Sequence, residues 1–355
     1  MHLRSFALDL TTPLGTATGP IDRREGFLVG VGPEDADASA PGIGEATPLP
    51  GWTESLSVCE STLREARTTA AADGIVEAVA TADPAATPAA RHGLALALAD
   101  ARARAADRSL SAHLADDLGL PAPTDAVPVN ATIGDDAVAT TVNEAEQAVA
   151  AGFDCLKIKV GVRGLDEDVD RLRAVREAVG DGVALRVDAN GAWDRETADR
   201  ALDRLEPLDP AYVEQLLPAA DLAGHAALRG DTSVRIALDE SLAAHGLDAV
   251  LDADAADVAV LKPMALGGPD RAVTAALRAR AVGVEPVVTT TIDAVVARTA
   301  AVHVAAAVPE IEPCGLATGP LLAADLAADP CQVETGRISV PSGAGLAGGA
   351  FADLR

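Results

Sequence analysis

Three lysines and a set of acidic and amide residues carry most of the chemistry open to this sequence. Of 28 basic residues only Lys157, Lys159 and Lys262 are lysines; arginine serves everywhere else. A lysine kept against that bias marks a place that needs a compact amine with a movable pKa. Lys157 and Lys159 lie two apart in the apolar run CLKIKV at 155–160, and Lys262 follows DVAVL at 257–261. Between them, three apolar runs end in Asp188 and Asn190, in Glu214 and Gln215, and in Asp239 and Glu240. The carboxylates of Asp188, Glu214 and Asp239 would repel one another without a cation. An all-oxygen set with room left for water or substrate suits Mg²⁺, with Mn²⁺ as a substitute. A cation also disfavours the ammonium form of a neighbouring lysine, which could then serve as a base near pH 7. Metal and amine base together amount to removal of a proton beside a carboxylate.

Such groups must be brought to one place. From about residue 126 the sequence alternates short β-branched runs with amphipathic segments of helical period. Strands are expected at 126–133, 155–160, 184–190, 212–215, 235–241, 257–262 and 285–290, with a short one near 311–317. Helices are expected between them, among them 166–179, 195–205, 269–281 and 293–308. Strand and helix alternating at this interval imply right-handed parallel crossovers, and eight units close into an α/β barrel of the (β/α)8 TIM type. Chemistry in such a barrel sits at the C-terminal ends of the strands. Residues two apart on a strand share a face, so Lys157 points with Lys159, and Asp188 with Asn190.

Residues 1–95 read as a separate α+β lobe with two strands around a loop at 11–20 and a turn-rich loop at 42–54. The barrel is expected over 96–322. The segment 323–355 is expected to return to the first lobe, with a flexible loop or tail at 343–349.

Composition narrows the function. Apolar residues make up 49% of the chain and charged residues 23%, which excludes a disordered protein. A formal net charge of −26 repels phosphate backbones and anionic lipid, excluding nucleic acid and membrane as partners. It also suits solubility at high salt, so a halophilic source is expected. Four scattered cysteines without CxxC spacing, and no signal-peptide pattern at the start, imply a cytoplasmic protein with free thiols. The six histidines show no HxH or HExxH spacing and are assigned no metal. Trp193 reads as packing. Arg23 and Arg24 either reach a substrate carboxylate or sit in a solvated loop.

The motifs KIK (157–159), DAN (188–190), EQ (214–215), DES (239–241) and LKP (261–263), taken in that order, resemble the muconate-lactonizing subgroup of the enolase superfamily, over nearly the whole chain. The run GEATPLPGW at 44–52 resembles that family's capping-domain loop. The resemblance implies a modified barrel with an N-terminal α+β capping domain. It makes Asp188, Glu214 and Asp239 the ligands of Mg²⁺, Lys159 the base and Lys157 a group that tunes it. Lys262 would face the substrate from the opposite side. Asn190 and Glu240 would support these groups, Glu240 by orienting Lys262. The family removes the α-proton of a small carboxylate substrate and stabilises the enediolate, chemistry that is general to such sites.

Within the subgroup, dipeptide epimerases carry an Asp-x-Asp at strand eight, and here that stretch reads GLATG at 315–319. Runs at 314–320, 46–52 and 21–27 resemble instead the branch that dehydrates a hydroxycyclohexadiene carboxylate to an aromatic succinylbenzoate. Thr289, Thr290, Gly315 and Leu316 would then contact substrate, with Asp293 where the family has Glu. A racemase of N-acylamino acids would share every catalytic residue. A catalytically silent barrel would have lost a ligand or a lysine, and none is lost. An oligomer is compatible with all three.

Overall fold

The computed structural model describes residues 1–16, 19–32 and 40–355. Strands β1 (His2–Thr16), β2 (Gly19–Val31) and β3 (Gly42–Ala46) form an antiparallel sheet. Helices α1 (Leu56–Asp73), α2 (Ile75–Thr81), α3 (Pro88–Ala105) and α4 (Leu110–Asp117) follow. Helix α3 lies across β2 and β3. Their shared apolar core takes in Met264 and Ala297 from the barrel, so lobe and barrel pack against each other through buried side chains.

Two expected loops of the lobe are strand instead. Residues 11–16 and 19–20 extend β1 and β2 past a register shift between Asp9 and Leu14, and residues 17–18 of that loop lie outside the described residues. Residues 42–46 of the second loop pair with β2 as β3, because a partner strand overrides the turn propensity of glycine.

The barrel sheet comprises β5 (Ala131–Ile133), β6 (Cys155–Lys159), β7 (Ala184–Asp188), β8 (Tyr212–Glu214), β9 (Ile236–Leu238), β10 (Val258–Leu261) and β11 (Glu285–Val288), all parallel and adjacent in sequence order. The helices between them are α5 (Val138–Ala150), α6 (Leu165–Val179), α7 (Arg195–Leu205), α8 (Leu222–Asp231), α9 (Glu240–His245), α10 (Leu247–Asp252), α11 (Pro263–Leu266) and α12 (Pro269–Ala281), with α13 (Val295–Ala307) after the last strand. Local chemistry starts them: the Asp194 carboxylate accepts from Thr197 N to open α7, and Asp221 accepts from Gly224 N to open α8.

Strand eight is shorter than expected. Two residues close the ring: Cys314 bridges to Val129, and Gly315 to Thr289. Cys314 N donates to Pro128 O at 2.8 Å and Gly315 N to Val288 O at 2.9 Å. Strand one is likewise divided. Its first part, β4 (Ala126–Pro128), leaves the barrel to pair antiparallel with the C-terminal hairpin β12 (Val333–Glu334) and β13 (Arg337–Ser339). The stretch 343–349 is pinned rather than loose: Leu346 is buried, its amide donates to Asp100, and its carbonyl accepts from His303. Among the described residues no helix is long and apolar enough to cross a membrane.

Candidate active site

The register of the parallel strands decides which side chains meet. Lys159 pairs with Asp188, and Asp188 with Glu214, so three chemical groups stand in one row across β6, β7 and β8. Asp239 follows β9 and opens α9; Lys262 follows β10 and opens α11. In the ring of eight, β6 and β10 are four places apart. Lys159 and Lys262 therefore approach the mouth from opposite sides.

The amines meet the carboxylates directly. Lys157 Nζ donates to Glu214 Oε1 at 2.6 Å and lies 2.8 Å from Asp188 Oδ2. Lys159 Nζ donates to Asp188 Oδ2 and to Asn190 Oδ1, both at 2.7 Å. Lys262 Nζ donates to Asp239 Oδ2 at 2.7 Å and sits 3.1 Å from the centre of the Trp52 ring, an aromatic face that attracts the cation. Asp188, Glu214 and Asp239 are all buried.

Electrostatics separates the carboxyls. Burial opposes charge on Asp188, yet Lys157 and Lys159 hold it well below the usual carboxylate range. Burial pushes Glu214 up to about 7, with Asp188 adding to the rise. Burial pushes Asp239 up to about 6 against the attraction of Lys262. Burial also disfavours the Lys157 ammonium, but Asp188 and Glu214 prevail and raise its pKa well above the ordinary value. The shift of Lys157 runs opposite to the depression expected for lysines beside a cation.

A cation fits the donor set. Glu214 Oε2 and Asp239 Oδ1 are buried without a hydrogen-bond partner, a costly arrangement that an ion resolves. Among the described residues no three His, Cys, Asp or Glu side chains are grouped to hold an ion as arranged, and the Lys157 and Lys262 amines pair with these carboxylates. Asp188, Glu214 and Asp239 could hold a hard divalent ion, since all three offer only oxygen.

Supporting contacts differ in part from expectation. Asn190 links Lys159 to Glu240, donating from Nδ2 to Glu240 Oε1 at 3.0 Å. Glu240 thus steadies the Lys159 side of the site, and the Lys262 amine pairs with Asp239 instead. Gln215, given no role from sequence, is the brace between β8 and β9: its Oε1 accepts from Asp239 N and Ser241 N, and its Nε2 donates to Ser241 Oγ. The EQ and DES motifs carried that signal, since an amide both accepts and donates within one side chain.

Thr289 Oγ1 donates to Gly315 O at 2.7 Å, and Thr290 Oγ1 lies 3.1 Å from Thr318 Oγ1, so both hydroxyls sit where β11 meets the closing residues. Leu316 has its side chain in the barrel core. Asp293 is buried and accepts from Thr291 Oγ1. Trp193 packs in the barrel core. Arg23 is exposed beside Asp9, whereas Arg24 is buried and bonded to three carbonyls, in neither of the two settings expected of it.

A closed ring of parallel strands with amines and carboxylates at their C-terminal ends, under an α+β lobe, defines a class, and the comparisons agree with it. Residues 140–348 match the enolase C-terminal domain-like family, and the chain belongs to that family. It is 45% identical over 223 residues to o-succinylbenzoate synthase of Thermobifida fusca (strain YX), an alignment covering 61% of this chain and 67% of that one. It is 42% identical over 208 residues to o-succinylbenzoate synthase of Mycobacterium leprae (strain TN), covering 57% of this chain and 59% of that one. Among solved structures it resembles the dipeptide epimerase of Enterococcus faecalis V583 complexed with Mg and dipeptide L-Leu-L-Tyr, with a TM-score of 0.85, 27% identity and 97% of each chain covered.

Proposed function

We propose that this chain is a Mg²⁺-dependent o-succinylbenzoate synthase, a lyase of menaquinone biosynthesis that dehydrates 2-succinyl-6-hydroxy-2,4-cyclohexadiene-1-carboxylate to 2-succinylbenzoate and water. The observation that carries the proton-abstraction chemistry is the placing of Lys159 and Lys262 across the mouth from each other, each bonded to a different carboxylate of the set. Relatives of that name support the choice of substrate. Mg²⁺, held by Asp188, Glu214 and Asp239, would offset the negative charge that builds on the substrate carboxylate as its α-proton leaves.

The remaining work belongs to the chain. Lys159, steadied by Asn190, takes the proton from the carbon that bears the carboxylate. The C–H electron pair first forms a double bond to the carboxylate carbon, giving the enediolate, and then returns to form the new ring double bond as the C–OH bond breaks. The same amine then protonates the departing hydroxide on that face, so one water leaves and the base is restored. Lys262 stays an ammonium under Trp52 and faces the enediolate from the other side, a fixed charge aimed where negative charge develops.

A racemase of N-succinylamino acids needs both lysines to move protons, and that difference is testable. In Lys262→Arg the cation remains, so dehydration is expected to persist at a reduced rate while any interconversion of enantiomers stops. Dehydration lost as completely as in a Lys159 variant would overturn the assignment of Lys262 as a charge and favour a two-base enzyme.

We infer a salt-rich cell from the net charge of −26, and its cytoplasm from four scattered cysteines without CxxC spacing. The screening length drops from about 10 Å at 0.1 M to about 3 Å at 1 M, so the self-repulsion of an acidic surface fades. The melting temperature is expected to rise between 0.1 and 2 M KCl; a flat or falling trend would remove the inference.

A further inference from the structure

Helix α13 begins without a cap of its own. Its N-cap residue is Ala294, which offers no side-chain acceptor. The amides of Ala294 and Ala297 donate instead to Glu45 Oε1 and Oε2, each at 2.8 Å, from a strand of the first lobe. Val295 N donates to Asp325 at 2.9 Å. A carboxylate here satisfies orphan amides and meets the positive end of the helix dipole. Burial pushes the Glu45 carboxyl up to about 7, with Asp293 adding to the rise and the bonds from Thr47 and Ala297 favouring the charged form.

The loop before α13 is gripped from the same side. Arg24 is buried and spans three carbonyls: Nε donates to Ile292 O at 3.2 Å, Nη1 to Pro48 O at 3.1 Å and Nη2 to Thr47 O at 2.9 Å. Ile292 has φ of 59°, a left-handed conformation that a β-branched residue adopts only when its surroundings impose it. They do so here, since its carbonyl is held by Arg24, its amide by Thr290 Oγ1, and its side chain by Leu10 and Leu322. Two residues of the lobe therefore grip the segment from Ile292 to the first turn of α13, directly after Thr289 and Thr290.

We propose that Arg24 and Glu45 are positioning residues: from the first lobe they set the strand-seven loop in the shape that holds the substrate, and so govern how tightly it binds. The proposal rests on the dehydratase reading, in which Thr289 and Thr290 contact the substrate. The bonds of Arg24 and the Glu45 carboxylate go to Thr47, Pro48, Ile292, Ala294 and Ala297, and none goes to a lysine of the mouth or to the carboxylates at the strand ends. Binding and proton transfer should therefore respond separately.

The test uses Arg24→Met, Arg24→Lys and the near-isosteric Glu45→Gln in the full-length protein with saturating Mg²⁺. Arg24→Met is expected to raise KM for the cyclohexadiene carboxylate at least tenfold with kcat within threefold. Arg24→Lys, which keeps a charge but cannot span three carbonyls, should fall between it and the parent. Glu45→Gln should speed amide hydrogen exchange of residues 289–299, a readout that needs no substrate. If Arg24→Met does not fold, Glu45→Gln decides alone by its KM and its exchange. A KM within twofold of the parent with unchanged exchange overturns the proposal, as does a fall in kcat at constant KM. An inert parent enzyme with faster exchange in the variant would instead count against the dehydratase reading.

Discussion

Lys159→Arg is expected to abolish turnover while leaving the fold and the charge of the site in place. A guanidinium remains protonated at any pH the protein survives, so it cannot accept the α-proton. It still pairs with Asp188 and Asn190, the two partners of the native amine at 2.7 Å, so the variant should melt close to the parent. General-base catalysis contributes on the order of 10²–10⁴-fold, and loss of that size or more is expected in kcat. Exchange of the substrate α-proton with deuterated water reads the step without reference to product. Exchange at the parent rate in Lys159→Arg would remove the base assignment whatever the substrate proves to be.

Removing the cation is expected to have a comparable effect. A strong chelator should silence the enzyme, and Mg²⁺ or Mn²⁺ should restore it. Charge stabilisation by a bound ion supplies several kcal/mol, on the order of 10²–10⁴ in rate. Glu214→Gln probes the same claim through the protein. Glu214 is fully buried, and its Oε2 lacks any hydrogen-bond partner. The amide removes one negative charge from the set but leaves Lys157 its contact with Asp188. Titration calorimetry should show Mg²⁺ affinity lowered at least tenfold with the fold retained. Full turnover in chelator, or unchanged affinity in Glu214→Gln, would sink the metal assignment.

The parts of this site visible in the sequence are those governed by local rules. Period-two alternation in CLKIKV sends Lys157 and Lys159 to one side, and the strand ends place Asp188, Glu214, Asp239 and Lys262 beside them. The helix at 195–205 was legible because Asp194 caps it within the same turn. What stayed hidden depends on partners far away in the chain. Strand eight shrinks to Cys314 and Gly315 because closing the ring needs only two residues between Val129 and Thr289. Ala126–Pro128 leaves the barrel because β13, some 200 residues later, offers it an antiparallel edge. The run GEATPLPGWTE reads as turns, yet Glu45 caps α13, Glu54 accepts from Ala89 N and Ala90 N at the start of α3, and Trp52 covers Lys262. No window of neighbouring residues contains those pairings.

The most direct measurement of the central claim is the ultraviolet progress curve of the purified protein with 2-succinyl-6-hydroxy-2,4-cyclohexadiene-1-carboxylate and Mg²⁺, followed by mass analysis of the product. Loss of one water per substrate, with an aromatic spectrum appearing only when the metal is present, is the predicted result. A substrate left unchanged by an enzyme that racemises N-succinylamino acids under the same conditions would contradict the account.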